Sequence, residues 1–226
     1  MNKNTRTLII ISLFLLIACG NNSKQLDIID EINDTTNELE QEIETSDAIK
    51  IQNHCIVPKE SFKYNSMGNY SNDTLILVTC ANFVYFPFGK LKNKSDLKDS
   101  RLNNFKIIDR FDEMPNGKFE FQILTLNTSK LILFFSNATE GPISSYIFKG
   151  EINDSEVNFI NGVKIGMSKE DFLNIFFDVF PNELMEKYKY IVFESCVQDI
   201  IHTYSFENNK LKSINFITDS YWNVDY

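Results

Sequence analysis

Cysteine and histidine side chains carry the most reactive chemistry in this sequence. His202 lies three residues after Asp199. A thiol from Cys80 or Cys196 beside that imidazole would form a nucleophile–base dyad, with the carboxylate orienting the ring. No glycine-rich oxyanion loop or G-x-S-x-G turn accompanies these residues. We therefore expect His202 to be an ordinary strand histidine and predict no catalytic residue. A secreted hydrolase is the alternative that the dyad would support.

The same side chains could form a disulfide or a metal site. Cys55 and Cys80 would close a 26-residue loop, which makes them the candidate disulfide pair. The alternative is that Cys55, Cys80 and Cys196 are small buried residues with free thiols. No pair has the C-x-x-C spacing of a zinc or redox site, and His54 beside Cys55 has no identifiable third ligand. We expect neither a metal site nor a cofactor.

The first nineteen residues have the layout of an export signal. Lys3 and Arg6 precede an apolar run from residue 8 to residue 18, which only Ser12 interrupts, and Cys19 follows directly. This order is typical of a signal peptide. A membrane-spanning helix would need about 20 apolar residues, so a retained anchor is the weaker interpretation. Residues 1–18 are therefore predicted to be removed.

The end of that segment, Leu16-Ile17-Ala18-Cys19, resembles the lipobox of bacterial lipoproteins. The resemblance implies that the Cys19 thiol is diacylated and that Cys19 becomes the mature N-terminus, so the membrane would be held through lipid. Gly20 stands where an Asp retains such proteins at the inner membrane of some enteric bacteria. The expected location is the cell envelope, at the outer membrane if the host has one.

Residues 19–50 are predicted to be the lipidated cysteine and an acidic tether. Residues 24–50 hold nine acidic residues against Lys24 and Lys50, a net charge of −7, while the whole chain has a formal charge of −9. So acidic a segment, poor in aromatics, indicates a solvated spacer rather than a coiled coil. The body from Ile51 shows no basic stripe, so we expect no nucleic-acid partner.

The body is predicted to be α+β. The 20 phenylalanines and nine tyrosines of the whole chain are ample material for a core. Residues 51–160 form the predicted N-terminal half, with strands near 75–80, 119–126, 130–136, 143–152 and 156–160. Residues 82–88 could extend the first of these strands. Ser95 could cap a helix reaching Leu102, so the N-terminal half could duplicate the plan of the C-terminal half in tandem.

Residues 161–226 form the predicted C-terminal half, a short helix pair followed by an antiparallel meander. Ser168 and Asp171 have the spacing of a capping box, and the apolar positions after them follow a helical stripe. Pro181 ends this helix and suits the first turn of a second one over residues 182–188. Three strands are predicted at 190–194, 199–206 and 211–217, and the last two are joined by a hairpin.

The helix entry Gly166-Met-Ser168-Lys-Glu170-Asp171-Phe172, followed by a meander, is similar to a pattern in small envelope proteins. The β-lactamase-inhibitor-like fold and the BamE/SmpA lipoproteins share it. The resemblance covers about residues 160–217. It implies a domain that catalyses nothing and presents a sheet or loop surface to another protein. No contact residue of those families can be placed on this sequence.

One strand of the meander suggests where such a surface could lie. Alternation puts Ile200, His202, Tyr204 and Phe206 on one face and Ile201, Thr203 and Ser205 on the other. If helices cover only the second face, the aromatic face is a candidate recognition surface. The alternative is that the aromatic face packs under the helices.

Together these patterns predict a non-catalytic, lipid-anchored cell-envelope protein whose body binds an envelope protein of unknown identity. An inhibitor of an envelope hydrolase is the alternative within the class of binding modules.

Overall fold

A computed structural model describes residues 48–68, 71–114, 117–135 and 145–218. The predicted signal peptide, the lipidation site Cys19 and the tether up to residue 47 lie outside these residues.

The described chain forms the predicted α+β fold. Its strands are β1 Ile49–Ile51, β2 His54–Pro58, β3 Tyr64–Met67, β4 Thr74–Thr79, β5 Lys106–Met114, β6 Gly117–Leu126, β7 Ser129–Phe134, β8 Ile147–Ile152, β9 Phe177–Val179, β10 Tyr190–Ser195, β11 Ile200–Glu207 and β12 Lys210–Thr218. Its α-helices are α1 Asn82–Tyr85, α2 Lys169–Phe176 and α3 Asn182–Lys187. Short 3-10 helices span Glu60–Phe62 and Lys94–Asp99.

Nine strands form one sheet in the order β3-β4-β10-β11-β12-β8-β7-β6-β5. The meander β10-β11-β12 and the meander β8-β7-β6-β5 meet through antiparallel pairing of β12 with β8. Parallel pairing of β4 with β10 adds two strands from residues 51–160 to the other edge of the C-terminal meander. The two predicted halves therefore share a single sheet. β1, β2 and β9 form a separate three-stranded sheet.

The helices pack on one face of the large sheet, and the main core lies between them. Phe172 of α2 contacts the rings of Tyr204 and Phe206, with centroids 4.7 Å and 5.1 Å apart. Phe83 of α1 lies 5.8 Å from the ring of Phe193. Successive residues of a strand point to opposite faces of a sheet. The side of the large sheet that faces away from these helices, from β4 to β5, is called the open face.

The predicted capping box begins α2. The Ser168 hydroxyl accepts from the Asp171 backbone N–H at 3.0 Å and donates to the Asp171 carboxylate at 2.6 Å. The helix ends at Phe176, earlier than the apolar stripe predicted, because Phe177 and Val179 pair with β2 instead. Pro181 then precedes α3, as predicted.

Two predicted strands in the N-terminal half are wrong. Residues 82–85 form the helix α1, whose residues Phe83, Val84 and Tyr85 are buried. Residues 156–160 form no strand but an irregular segment between two turns, and the backbone N–H of Ile160 donates to the Pro87 carbonyl at 2.9 Å. The predicted helix after Ser95 is only the 3-10 helix Lys94–Asp99, so β6, β7 and β8 follow a shorter helical element than the C-terminal meander does.

Candidate functional site

The candidate recognition surface on β11 lies in the core, so the alternative, in which the aromatic face packs under the helices, is correct. Ile200, His202 and Tyr204 are each at most 2% exposed, and Phe206 is partly buried against the same core. The alternation was predicted correctly, but α1 and α2 cover this aromatic face. The other side of β11, with Ile201, Thr203 and Ser205, is half-buried and belongs to the open face.

The Cys55–Cys80 disulfide is also wrong. Cys80 is bonded to Cys196, 116 residues away in sequence, with Cα atoms 5.2 Å apart. The parallel register brings this pair together, because Thr79 and Ser195 are partners at the ends of β4 and β10, directly before the two cysteines. The disulfide thus joins strands from the two halves of the chain.

This disulfide removes both candidate nucleophiles of the alternative dyad, since neither Cys80 nor Cys196 carries a free thiol. His202 is 1% exposed and its ring contacts Phe216 at 4.7 Å. Burial lowers the pKa of His202 to about 3, although a hydrogen bond with the Val84 backbone opposes that shift. Nδ1 of His202 has no hydrogen-bond partner. His202 is therefore a neutral core residue near pH 7 and is not exposed to a substrate.

Nowhere in the described ranges do three or more His, Cys, Asp or Glu side chains gather as they would around a metal ion. None of the helices in that part of the chain combines the length and the hydropathy that a membrane crossing requires.

Lys169 is a buried charge that sequence reasoning missed. It is 3% exposed, and its ammonium donates to the carbonyl oxygens of Met185 and Tyr188 at the end of α3. The ammonium also lies 5.2 Å from the centre of the Phe206 ring. Burial lowers the pKa of Lys169 to about 8. These contacts occupy the ammonium within the fold, so Lys169 fixes α2 against α3 rather than serving a ligand.

A row of aliphatic side chains crosses the open face, perpendicular to the strands. Cross-strand partners run in one line from β4 to β5, with Glu194 and Lys149 as the only polar members of that line. The aliphatic members, which we call the aliphatic row, are Val78, Ile201, Ile217, Ile132, Ile123 and Ile108. Ile217 is 43% exposed and Ile108 is 46% exposed. Large aliphatic side chains in such a line are typical of a contact surface rather than of a solvated face.

The part of the row formed by β6, β7 and β8 is covered more than the part formed by β11 and β12. There Ile132 is 3% exposed and packs with a second cluster that includes Phe121 and Phe148. The rings of Phe121 and Phe148 are 5.7 Å apart. This cluster is a small second core, so the accessible part of the open face is centred on β11 and β12.

A groove of about 380 Å³ lies at the junction of the two meanders on the open face. Lys130, Lys149, Glu151, Asn215 and Ile217 are among the residues that line it. Lys130 and Glu151 are cross-strand partners, and so are Asn215 and Glu151. The open face therefore combines an aliphatic centre with charged and amide groups beside it, as protein interfaces combine an apolar centre with a polar rim.

A rigid turn stands at one end of the open face, after β10. Val197 is 66% exposed, the highest exposure among the large hydrophobic side chains of the described residues. Its neighbours are fixed: Cys196 by the disulfide, and Gln198 by its backbone N–H, which donates to the Ser195 hydroxyl at 3.0 Å. The turn holds one apolar side chain in solvent on a backbone that the disulfide and the hydrogen bond to Ser195 constrain.

The chain matches no protein-family model, no curated protein and no solved structure.

Proposed function

We propose that this protein is a non-catalytic, lipid-anchored protein of the cell envelope whose body binds another envelope protein through the open face. The observation that carries the proposal is the aliphatic row, whose members Ile201 and Ile217 stand side by side on adjacent strands. Binding between proteins removes such apolar area from water, and this burial stabilises the complex. The partner is expected to present an apolar surface with charged groups at its margin.

The location rests on two features of different kinds. The lipobox resemblance at Cys19 supports lipid attachment, and several acyl chains on one cysteine would hold the protein firmly. The Cys80–Cys196 disulfide supports an exported chain, since disulfides persist in oxidising compartments and are rare in the cytosol. The outer membrane is proposed where the host has one.

The absence of catalysis is proposed for a chemical reason. The hydrolase alternative needed a thiol at Cys196 and an imidazole that titrates near neutral pH. Cys196 is bonded to Cys80, and burial keeps His202 neutral. The resemblance of the C-terminal half to the β-lactamase-inhibitor-like and BamE/SmpA folds supports the same class of role.

A second candidate function is inhibition of an envelope hydrolase, and the Val197 turn favours it. A rigid turn loses little conformational entropy when its side chain enters a pocket, so preorganisation raises affinity. If the protein is an inhibitor, the purified chain lowers the activity of its target hydrolase, and Val197→Asp abolishes that effect. Val179→Asp is the matched control, because Val179 is 50% exposed on β9, outside the open face.

The proposed function is tested by one substitution in the row. Tagged full-length chain is purified from membranes after cross-linking, as wild type, Ile217→Glu and Val179→Glu. We expect an envelope protein to accompany the wild type and Val179→Glu, and to be reduced at least about tenfold with Ile217→Glu, because a buried unpaired carboxylate at an interface is costly. Equal recovery with Ile217→Glu, or no partner with any chain, would contradict the proposal.

A further inference from the structure

A second cavity, of about 720 Å³, lies outside the open face. Three segments line it: the loop that follows α1, the turns around the 3-10 helix Lys94–Asp99, and the residues at 156 and 158. Phe88, one of the lining residues, packs against Phe216 with ring centroids 6.1 Å apart. Phe216 is the cross-strand partner of His202 on the core side of β12. The cavity and the open face therefore lie on opposite sides of the large sheet.

Hydrogen bonds and buried side chains hold the walls of this cavity in place. The Tyr146 hydroxyl donates to the Gly89 carbonyl at 2.8 Å, which fixes the loop after α1. The backbone N–H of Ile160 donates to the Pro87 carbonyl at 2.9 Å and so ties the third segment to that loop. Leu97 is 0% exposed and anchors the 3-10 helix in the core. The cavity is thus shaped before a ligand arrives, which lowers the cost of binding.

Most of the polar side chains around the cavity have no polar partner within the fold. Six of them are exposed to solvent: Lys90, Asp99, Arg101, Asn103, Asn104 and Glu156. In the part of the chain that the structure describes, none of these six side chains forms an ion pair or a hydrogen bond. Carboxylates, amides and cations that face one cavity without pairing keep their hydrogen-bonding capacity for a ligand.

The charges of the lining narrow the class of ligand. Three carboxylates, from Asp96, Asp99 and Glu156, face two cations, from Lys90 and Arg101. A polyphosphate or a nucleic acid would need an excess of cations. The signs are also not separated into two poles, since Asp99 and Arg101 stand two residues apart on the same wall. A zwitterion, which needs separate poles, therefore fits less well than an uncharged polar ligand.

A sugar chain matches such a lining. Each sugar hydroxyl both donates and accepts a hydrogen bond, so it can pair with the carboxylates, the cationic donors and the amides alike. Hydrogen bonds that involve a charged group are roughly twice as strong as those between neutral groups. Phe88 and Leu91 add apolar atoms to the lining, against which the C–H groups of a sugar ring can pack.

We propose that this cavity binds an uncharged oligosaccharide. The inference goes beyond the proposed function and does not depend on the open face. Because the two surfaces lie on opposite sides of the sheet, a glycan and a protein partner can be bound at the same time. An envelope protein meets such glycans in two sources, the glycan strands of the cell wall and the polysaccharides of the cell surface, which share rings with adjacent hydroxyl or acetamido groups.

The test titrates the full-length chain in detergent with two tetrasaccharides, the tetramer of N-acetylglucosamine and maltotetraose, by isothermal titration calorimetry. Asp99→Ala combined with Asn104→Ala is the cavity variant, because both side chains line the cavity and form no hydrogen bond in the described fold. Asn174→Ala combined with Asp178→Ala is the matched control, since both residues are exposed and lie outside the cavity.

We expect the wild type and the control to bind at least one tetrasaccharide, and the cavity variant to bind it about tenfold more weakly, because hydrogen bonds to the ligand are lost. Thermal melts should give all three chains the same melting temperature, since only exposed side chains change. Binding of neither tetrasaccharide, equal binding by the cavity variant, or binding of the zwitterion tetraalanine in their place would overturn the proposal.

Two further binding measurements identify the source of the glycan. The full-length chain is sedimented with purified cell-wall sacculi, and it is also passed over immobilised surface polysaccharide extracted from the host. Retention on one of these materials, reduced with the cavity variant, assigns that material as the source. Retention on neither material, or retention that the cavity variant leaves unchanged, would contradict the proposal.

Discussion

Cys80 and Cys196 are joined across the parallel pair β4 and β10, so a covalent link between the two halves of the body lies at the ends of the second and third strands of the large sheet. The link closes a loop of more than 100 residues. Such a loop constrains the unfolded chain strongly, and its removal has a large effect on stability.

We expect Cys80→Ser combined with Cys196→Ser to lower the free energy of unfolding by about 2–5 kcal/mol. Denaturant unfolding of the purified chain measures this change. Peptide mapping without reductant should find Cys80 and Cys196 in one linked fragment of the wild type. A linked fragment joining Cys80 to Cys55 would contradict the structure.

Lys169 gives a pH-dependent prediction. Burial lowers its pKa from 10.5 to about 8, so between these values the unfolded chain holds a proton that the folded chain has lost. The contribution of Lys169 to the free energy of unfolding therefore increases as the pH rises from about 8 to about 10.5. Below pH 8 both states are charged, and the folded state bears the full cost of burying the ammonium.

Lys169→Met removes this titration and leaves the carbonyls of Met185 and Tyr188 without the donor. We expect Lys169→Met to lower the free energy of unfolding by about 1–3 kcal/mol at pH 7. The difference in this free energy between wild type and variant should widen between pH 8 and pH 10.5. Urea unfolding across that pH range tests the sign. A gap that narrows as the pH rises would show that the charged form is the favoured one.

Gly150 in β8 is required by the close approach of β7. A Cβ at this position would lie 2.4 Å from the Lys130 carbonyl oxygen and 2.8 Å from the Cα of Leu131. We expect Gly150→Ala to destabilise the fold by about 1–3 kcal/mol through this overlap. Gly166→Ala is the control for backbone strain alone, since Gly166 has a φ of +88° and no atom within 4 Å of its Cβ position. In thermal melts, Gly150→Ala should have a lower melting temperature than Gly166→Ala. The reverse order would contradict the packing argument.

The anchor is tested by Cys19→Ala. We expect a full-length precursor or a soluble protein with an unchanged body, because lipid supplies membrane affinity at about 0.8 kcal/mol per buried CH₂, while the first described core residue, Ile49, lies well apart from Cys19 in the sequence. A palmitate analogue should label the wild type and not the variant. A variant of processed size that still fractionates with membranes after alkaline carbonate washing would refute the lipoprotein interpretation.

The elements with strong local signals could be predicted from the sequence. The capping box at Ser168 starts α2, and Asn208 and Asn209 adopt positive φ in the predicted hairpin between β11 and β12. β5 was missed because an edge strand is exposed on both faces and lacks the alternation of a half-buried strand. Tertiary pairing with β2, rather than local propensity, ended α2 at Phe176.

The candidate site was predictable only in part. Alternation divides β11 into an aromatic and a mixed face, but it does not say which one the helices cover. The aliphatic row needs the registers of eight strands, from Val78 to Ile108, and no local pattern contains them. Three cysteines allow three pairings, and the parallel contact of β4 with β10 that selects Cys80–Cys196 is not encoded in spacing along the chain.

The most direct measurement of the central claim is site-specific photo-cross-linking from the open face. A photoreactive phenylalanine analogue replaces Ile217 in the full-length chain in its own membranes, and the same analogue replaces Val179 as the control. The account predicts one discrete adduct with an envelope protein from position 217, absent from position 179 and lost when Ile201→Glu is added. Identical adducts from both positions, or none from position 217, would contradict binding through the open face.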